Sequence, residues 1–436
     1  MILRIILKNF LSFSDEVQFD MFPNLKRTTL SSHIHHAHDS VPLLRLAAIY
    51  GANGAGKSNL IKAFNFLKRV ATQKDFLNEE AVLRCLYALQ EDYEEQVMEL
   101  AVEFITKSNN PYIYSIKVSR KGIEAETLWK SGLGRQENKV VFNRDGSKVS
   151  FAQSPVKAIL SIIENWLEKN PYSSLLSLVD DDFSVLNNKV MEEAWSWFEN
   201  ELVVVTTDAS VPQLISIFRH SEQINTFASK LFGNVGLGID QVKVKTENFD
   251  EWLQRHPSAS IPSADKIDEE SVIMQMSGTT NVFELMKEEG ERKVSQFMFE
   301  QLGRGGFRKG MDISAQSLGT QRLLVLVPAL YDAVVSGKTV LVDEIEHSIH
   351  PHLVRELVRF FSTEKVTGQL IFTTHETCLL NQEIIRADEV WFVEKKEGVS
   401  YAYSLNDFKP HHTIDIEKGY LEGRYGAVPF IGELHV

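Results

Sequence analysis

The sequence predicts an α/β fold built on a parallel sheet, and three observations carry that expectation. Apolar strand-like runs alternate with helical patterns late in the chain, at Thr339–Val342, Gln369–Thr373 and 390–393. One earlier apolar run, 43–50, is followed at once by a glycine-rich turn and a helical pattern. The run Thr339–Val342 ends in two acids, Asp343 and Glu344. The 436 residues make about three pieces of ~150 residues by length alone. Hydrophobic residues are 43% and charged residues 24%, which excludes disordered, collagen-like and coiled-coil-dominated chains.

In chain order, 2–7 reads as a half-buried strand and 16–19 as a second, short one. Residues 27–42 are polar and hold His33, His35, His36 and His38. The turn GANGAGKSNL then opens a helix running to about Ala71. Residues 99–105 and 112–118 form a hairpin around Asn109-Asn110-Pro111, and 123–129 and 139–143 continue the sheet. Ser154-Pro155 opens a helix with Ile159, Leu160, Ile163 and Leu167 at helical spacing. Helical patterns dominate from there to about Phe232, with short strands at Leu202–Val205 and 242–245. Residues 257–270 read as a linker, 303–310 as a loop (GRGGFRKG), and 322–334 as a helix. The last strands, 390–393 and 401–405, are joined by a short turn at 395–398.

The chemistry sits first in Gly51-Ala52-Asn53-Gly54-Ala55-Gly56-Lys57-Ser58, which fits G-x-x-x-x-G-K-[ST] between an apolar strand and a helix. The glycines let successive N–H groups turn toward phosphate oxygens, and the helix N-terminus adds positive potential. Lys57 is expected to reach the β- and γ-phosphates, and the Ser58 hydroxyl to ligate Mg²⁺. Asp343 ends a buried strand, where ligands bind in α/β sheets, and is expected to hold the metal. Glu344 is the expected general base on the attacking water. His375 ends the next strand and is expected beside the same site, bonding to the γ-phosphate or the water. Ser317-Leu318-Gly319-Thr320-Gln321 opens a helix with small residues, either an anion site or an ordinary cap.

These elements, in this order, resemble the ABC-type ATPase head of SMC, RecF and transporter proteins. Asn53 and Asn59 around Gly56-Lys57-Ser58 are similar to the SMC/RecF variant of the loop, which adds Asn53, Gly54, Ala55 and Asn59 to the expected ATP contacts. The segment 317–321 resembles the family's signature. The resemblance implies that Ser317, Gly319 and Gln321 act in trans, on ATP held by a second copy in a head-to-head dimer. It also implies a glutamine near the metal, with Gln90 and Gln96 the candidates. The runs NFLSF, AAIYGANGAGKSNL, SLGTQRLL, VLVDEIEHSIHP, FTTHETCLL and YLEGRYGAVPFIGEL resemble more closely the bacterial ABC-type AAA ATPases of anti-phage defence, in the RloA, AriA, PtuA and AbiL groups. The expected fold is therefore a P-loop ATPase head over 1–150 and 311–436, a mixed sheet with a parallel core plus an antiparallel β lobe. A mostly helical insertion, 151–310, interrupts it. The implied cofactors are ATP and Mg²⁺. The implied role is a sensor or scaffold that controls a separately encoded effector such as a nuclease, since the stretch after His375 is too short for the nuclease domain that some relatives carry.

The rival expectation is a RecF-like DNA-maintenance ATPase. Forty-six basic against 59 acidic side chains give a net charge of −13, which argues against coating nucleic acid by bulk charge and leaves room for a local basic patch. Two cysteines, Cys85 and Cys378, exclude a disulfide scaffold and fit a reducing, cytoplasmic setting. No apolar run approaches a membrane span. The histidines at 33–38 read either as a metal site or as a polar loop. Arg304, Arg308 and Lys309 lie in a glycine-rich loop that could touch phosphate or be merely solvated. Trp166, Trp195, Trp197 and Phe198 read as core or as a partner surface, and the tail Gly423–Pro429 has either a chemical or a packing role.

Overall fold

The computed structural model describes all residues except 39–40, 154–156, 181–187, 212–213, 257–271, 276–281, 289, 363–365, 412–413 and 430–436. The expected linker at 257–270, the helix start at Ser154-Pro155 and the end of the tail therefore lie outside the described residues. Two compact units are present. The first comprises Met1–Val204, Asp332–Ile345 and Arg355–Val436, and the second Val205–Tyr331 and Glu346–Val354.

In the first unit, Ile2–Lys8 alternates buried and half-exposed side chains and joins an antiparallel sheet of seven strands. The order is Lys148–Phe151, Lys139–Asp145, Gly122–Lys130, Pro111–Ser119, Met98–Ile105, Ile2–Lys8, Val17–Asp20. The hairpin expected around Asn109 is present, with Phe104 facing Tyr112. A second sheet has the order Leu202–Val205, Thr339–Val342, Gln369–Thr373, Leu46–Tyr50, Val390–Lys396, Val399–Ser404. Thr339–Val342, Gln369–Thr373, Leu46–Tyr50 and Val390–Lys396 run parallel. These strands are continuous apolar runs because both faces are covered. The connection from Gln369–Thr373 to Val390–Lys396 is made of short 3-10 turns where a helix was expected.

Helix Lys57–Thr72 places Leu60, Ile61, Phe64, Leu67 and Val70 in the core of this unit, with Ile5, Leu100 and Phe142 of the antiparallel sheet. Gln369 ties the two sheets directly. Its buried amide accepts from Ile2 N at 2.7 Å and donates to the carbonyls of Ile2 and Leu44, each at 3.0 Å. Residues 171–204 belong to this unit for a physical reason. The carboxylate of Glu126, fully buried beside Arg144, accepts from Leu175 N at 2.7 Å, Leu176 N at 3.0 Å and Tyr114 OH at 3.0 Å. A charge so deep is tolerated only when bonded on every side. Burial first, then that carboxylate, pushes the Tyr114 hydroxyl well above its ordinary pKa. Trp197 and Phe198 are core: Trp197 stacks on Phe104 with ring centroids 4.0 Å apart. Trp166 and Trp195 pack against the same core, half-buried.

The second unit is mixed where helix was expected to dominate. Helices Leu214–His220, Glu222–Asn234 and Phe249–Arg255 accompany a sheet ordered Ile239–Asn248, Glu291–Leu302, Val282–Glu288, Val272–Gln275. Arg308–Asp312 also pairs with Glu291–Leu302, so the expected loop at 303–310 is a hairpin arm. Glu291–Leu302 escaped the sequence reading because its buried positions are filled partly by Ser295 and Gln296, which blur the apolar alternation. Among the described residues no helix is long and apolar enough to cross a membrane.

Candidate functional site

The first unit assembles the phosphate loop from the end of a strand. Leu46–Tyr50 is wholly buried, so the chain must turn as it leaves the sheet. Gly56 sits at φ 115°, and a Cβ there would lie 2.5 Å from Ser400 Oγ and 2.8 Å from Ser12 Oγ. Only glycine meets both demands. Asn53 and Gly54 are exposed at the tip of the turn, and Ala55 is buried beneath it. Lys57, the first helical residue, is buried and folds its ammonium onto the loop, donating to Gly51 O at 2.9 Å and Ala52 O at 3.2 Å. At the helix start Asn59 N and Leu60 N both donate to Gly56 O, at 3.0 and 3.2 Å, which closes the first turn directly behind the loop.

Ser58, half-buried, donates to Asp343 Oδ1 at 3.0 Å, and Thr373 Oγ1 donates to the same oxygen at 2.7 Å. The Thr373 hydroxyl also accepts from Glu344 N at 2.7 Å, and Ile345 N donates to Thr373 O at 3.1 Å. Glu344 itself is held at φ 50°, a left-handed conformation that costs a non-glycine residue about 1–3 kcal/mol. The Thr373 bonds offset that strain. The loop, Asp343, Glu344 and the end of Gln369–Thr373 are thus brought together. His375 is exposed and leaves the strand lying between the other two, so it emerges beside both.

Two expected residues point elsewhere. The Asn59 amide donates to Ser12 Oγ at 2.8 Å. Ser400 Oγ donates to Ala55 O at 2.6 Å and lies 2.8 Å from Ser12 Oγ, while Ser400 N donates to Ser12 O at 2.7 Å. Asn59 is therefore part of a brace under the loop rather than a group at its rim. Gln90 donates to Asn9 Oδ1 at 3.1 Å, and Asn9 donates on to Val97 O at 3.2 Å, while Gln96 is exposed. Sequence reasoning missed Thr373, Ser12 and Ser400. The only sequence signal was their position, at a strand end and in NFLSF. The tail packs onto the strands: Tyr425 and Tyr420 stack on Phe392, which contacts Tyr50 at the end of the phosphate-loop strand. Tyr403 OH donates to Tyr425 O at 2.8 Å.

The histidines at 33–38 separate. His33 is buried against Glu389 at 2.9 Å, and His38 Nδ1 lies 2.6 Å from Asn109 O. Among the described residues no three His, Cys, Asp or Glu side chains cluster as a metal site. Burial pushes the Glu389 carboxyl up, against the lowering effect of His33.

In the second unit, Ser317 caps helix Leu318–Val334, its Oγ accepting from Thr320 N at 3.1 Å. A Cβ on Gly319 would lie 2.5 Å from Ser348 O, which restricts that position to glycine. Gln321 turns back on its own loop, donating to Ile313 O at 3.2 Å and Gln316 O at 3.1 Å, so its amide braces the turn, while Ser317 and Leu318 are the exposed residues of the segment 317–321.

A comparison with curated proteins finds no match. Among solved structures the chain is similar to an SMC head bound to the C-terminal winged-helix domain of ScpA, at 15% identity and a TM-score of 0.47 over 93% of this chain and 99% of that one. It is also similar to the SMC head domain from Thermotoga maritima, at 14% identity and a TM-score of 0.41 over 92% and 98%. A third similar structure is a Pyrococcus furiosus SMC head with an extended coiled coil, bound to the C-terminal domain of ScpA, at 15% identity and a TM-score of 0.45 over 97% and 99%. The family model described as "AAA domain, putative AbiEii toxin, Type IV TA system" matches residues 46–381, which run from the phosphate-loop strand past Asp343 and His375. With that match over more than three quarters of its length, the chain belongs to this AAA family.

Proposed function

We propose that the protein hydrolyses ATP in a head-to-head dimer and acts as a sensor or scaffold controlling a separately encoded effector, such as a nuclease, in anti-phage defence. The observation that carries the ATPase reading is the cluster of Ser58, Asp343 and Thr373 beneath the glycine turn. A hydroxyl and a carboxylate oxygen 3.0 Å apart are hard donors of the kind Mg²⁺ takes, so Ser58 and Asp343 fit that metal and would hold it. Bound there, Mg²⁺ would neutralise charge on the phosphate oxygens.

The chain's own residues do the rest. Lys57 exchanges its two loop carbonyls for phosphate oxygens, so its charge is already positioned and desolvated. Glu344, at positive φ with its N–H held by Thr373, takes the proton of the attacking water. His375 bonds to the γ-phosphate or to that water. Ser317 and Gly319 of one copy cap the ATP of the other, with Gln321 shaping the turn that presents them. Replacing Glu344 by Gln should lower turnover by about 10²–10⁴-fold while ATP still binds. Hydrolysis at the parental rate would reject Glu344 as the base. The same variant with saturating Mg·ATP should sediment as a dimer; a monomer under those conditions would reject the shared site.

A further inference from the structure

The sequence marked Arg304, Arg308 and Lys309 as a glycine-rich basic loop that the ATPase reading leaves unused. In the structure this segment is the tip and outer arm of a hairpin, with Arg308–Asp312 paired to Glu291–Leu302. Every residue from 302 to 310 is exposed, among them Phe307 and Leu302 at 65% and 50%. Arg304-Gly305-Gly306-Phe307 forms the tip, with Gly305 at φ 67° and Gly306 at φ 81°. Among the described residues Arg304 and Lys309 make no ion pair. Arg308 bonds to Asp240 at 2.9 Å and borders a hollow of about 470 Å³, also lined by Asn225, Ser229, Lys230 and Lys243.

We propose that this hairpin binds single-stranded nucleic acid and reports its presence to the signature turn. The charge argument is local. Lys230, Lys243, Arg304, Arg308 and Lys309 outnumber Glu222, Asp240, Glu300 and Asp312 here, in a chain whose net charge is −13. Two of the carboxylates are already engaged, Asp240 by Arg308 and Glu300 by Lys243. Arg308 and Lys309 are successive strand residues and so point to opposite faces of the arm. Cations on both faces and at the tip suit a flexible strand that wraps an edge, not a duplex with fixed phosphate spacing. The exposed Phe307 ring offers a stacking face to an unpaired base, the combination by which single strands are held without sequence readout.

The route to the signature is short. Gln301, opposite Lys309 in the hairpin, donates to Gln316 Oε1 at 3.0 Å. Gln316 O in turn accepts from Gln321 at 3.1 Å. Tension on the arm therefore reaches the turn that bears Ser317. This coupling rests on the ATPase reading above, whereas the binding does not.

The test uses the full chain and labelled oligothymidylate and oligouridylate of about 20 nucleotides, longer than the stretch one binding module occupies. Fluorescence anisotropy should show binding whose log affinity falls against log salt with a slope of about −2, for three phosphate contacts on a single strand. Reversing both Arg304→Glu and Lys309→Glu should weaken binding by at least about tenfold. Phe307→Ala should weaken it by roughly 5- to 150-fold. Unchanged binding in the charge-reversed variant, or a duplex of the same length binding as tightly, overturns the assignment. Oligonucleotide should raise ATP turnover, and Gln301→Leu should keep binding while losing that stimulation; stimulation retained in Gln301→Leu rejects the route. Oligonucleotide binding without any ATP turnover would reject the ATPase reading alone. Turnover without oligonucleotide binding would reject the hairpin alone.

Discussion

The floor of the phosphate loop and the basic hairpin are opposite solutions to holding an anion. Under the loop, Ser12, Asn59, Ser58, Asp343, Thr373 and Ser400 form closed bonds, and Thr373 and Ser400 are fully buried. Along residues 302–310 every side chain is in water. The first region gains its fixed geometry from burial, since a polar group left unbonded there costs about 1–3 kcal/mol. The second gains little from packing and is therefore cheap to alter in sequence. Rigid positioning suits a reaction with one transition state, while exposed cations and a ring suit a ligand of variable sequence.

Substitutions can break or sharpen this contrast. The largest stability effect should come from Phe64→Ala, which empties a fully packed position in the helix that follows the loop and should cost about 3–5 kcal/mol in denaturant unfolding. A cost under 1 kcal/mol would mean that the helix following the loop is not held by this core. Thr373→Val keeps the shape but removes the donor to Asp343 and the acceptor for Glu344 N. It should cost about 1–3 kcal/mol and lower kcat more than it raises KM for ATP, and an unchanged kcat would separate Glu344's backbone from its chemistry. Ser400→Ala removes the donor to Ala55 O and should cost about 1 kcal/mol, read as a lower melting temperature that saturating Mg·ATP partly restores. At the small end, Phe307→Ala should change stability by no more than about 0.5 kcal/mol, and a larger loss would show that the hairpin tip is packed after all.

The same contrast separates what was legible from what was not. The loop and the acidic pair are written in contiguous residues, because the glycines and the strand-end carboxylates answer to local backbone demands. Ser400 carried no signal and Ser12 only its place in NFLSF, as the two partners are 388 residues apart and a serine is unremarkable in isolation. Asn59 and Gln321 were placed in the right segments, yet their amides turn to Ser12 and to loop carbonyls. A motif fixes the residue and not the rotamer. The antiparallel lobe was read in outline because its strands alternate. The strands Val282–Glu288 and Glu291–Leu302 were missed because Ser295, Gln296 and Glu284 occupy buried positions that pattern reading reserves for apolar residues.

The brace under the loop also has a consequence for how the protein is made. Ser12 leaves the ribosome before the glycine turn, and Ser400 only 345 residues after Ala55. At about 5–20 residues per second, the 345 residues between Ala55 and Ser400 take on the order of 20–70 seconds. Through that interval the glycine turn exists without its last support. The completed brace therefore lags the motif, and a chain interrupted before residue 400 is left with the motif but not the brace.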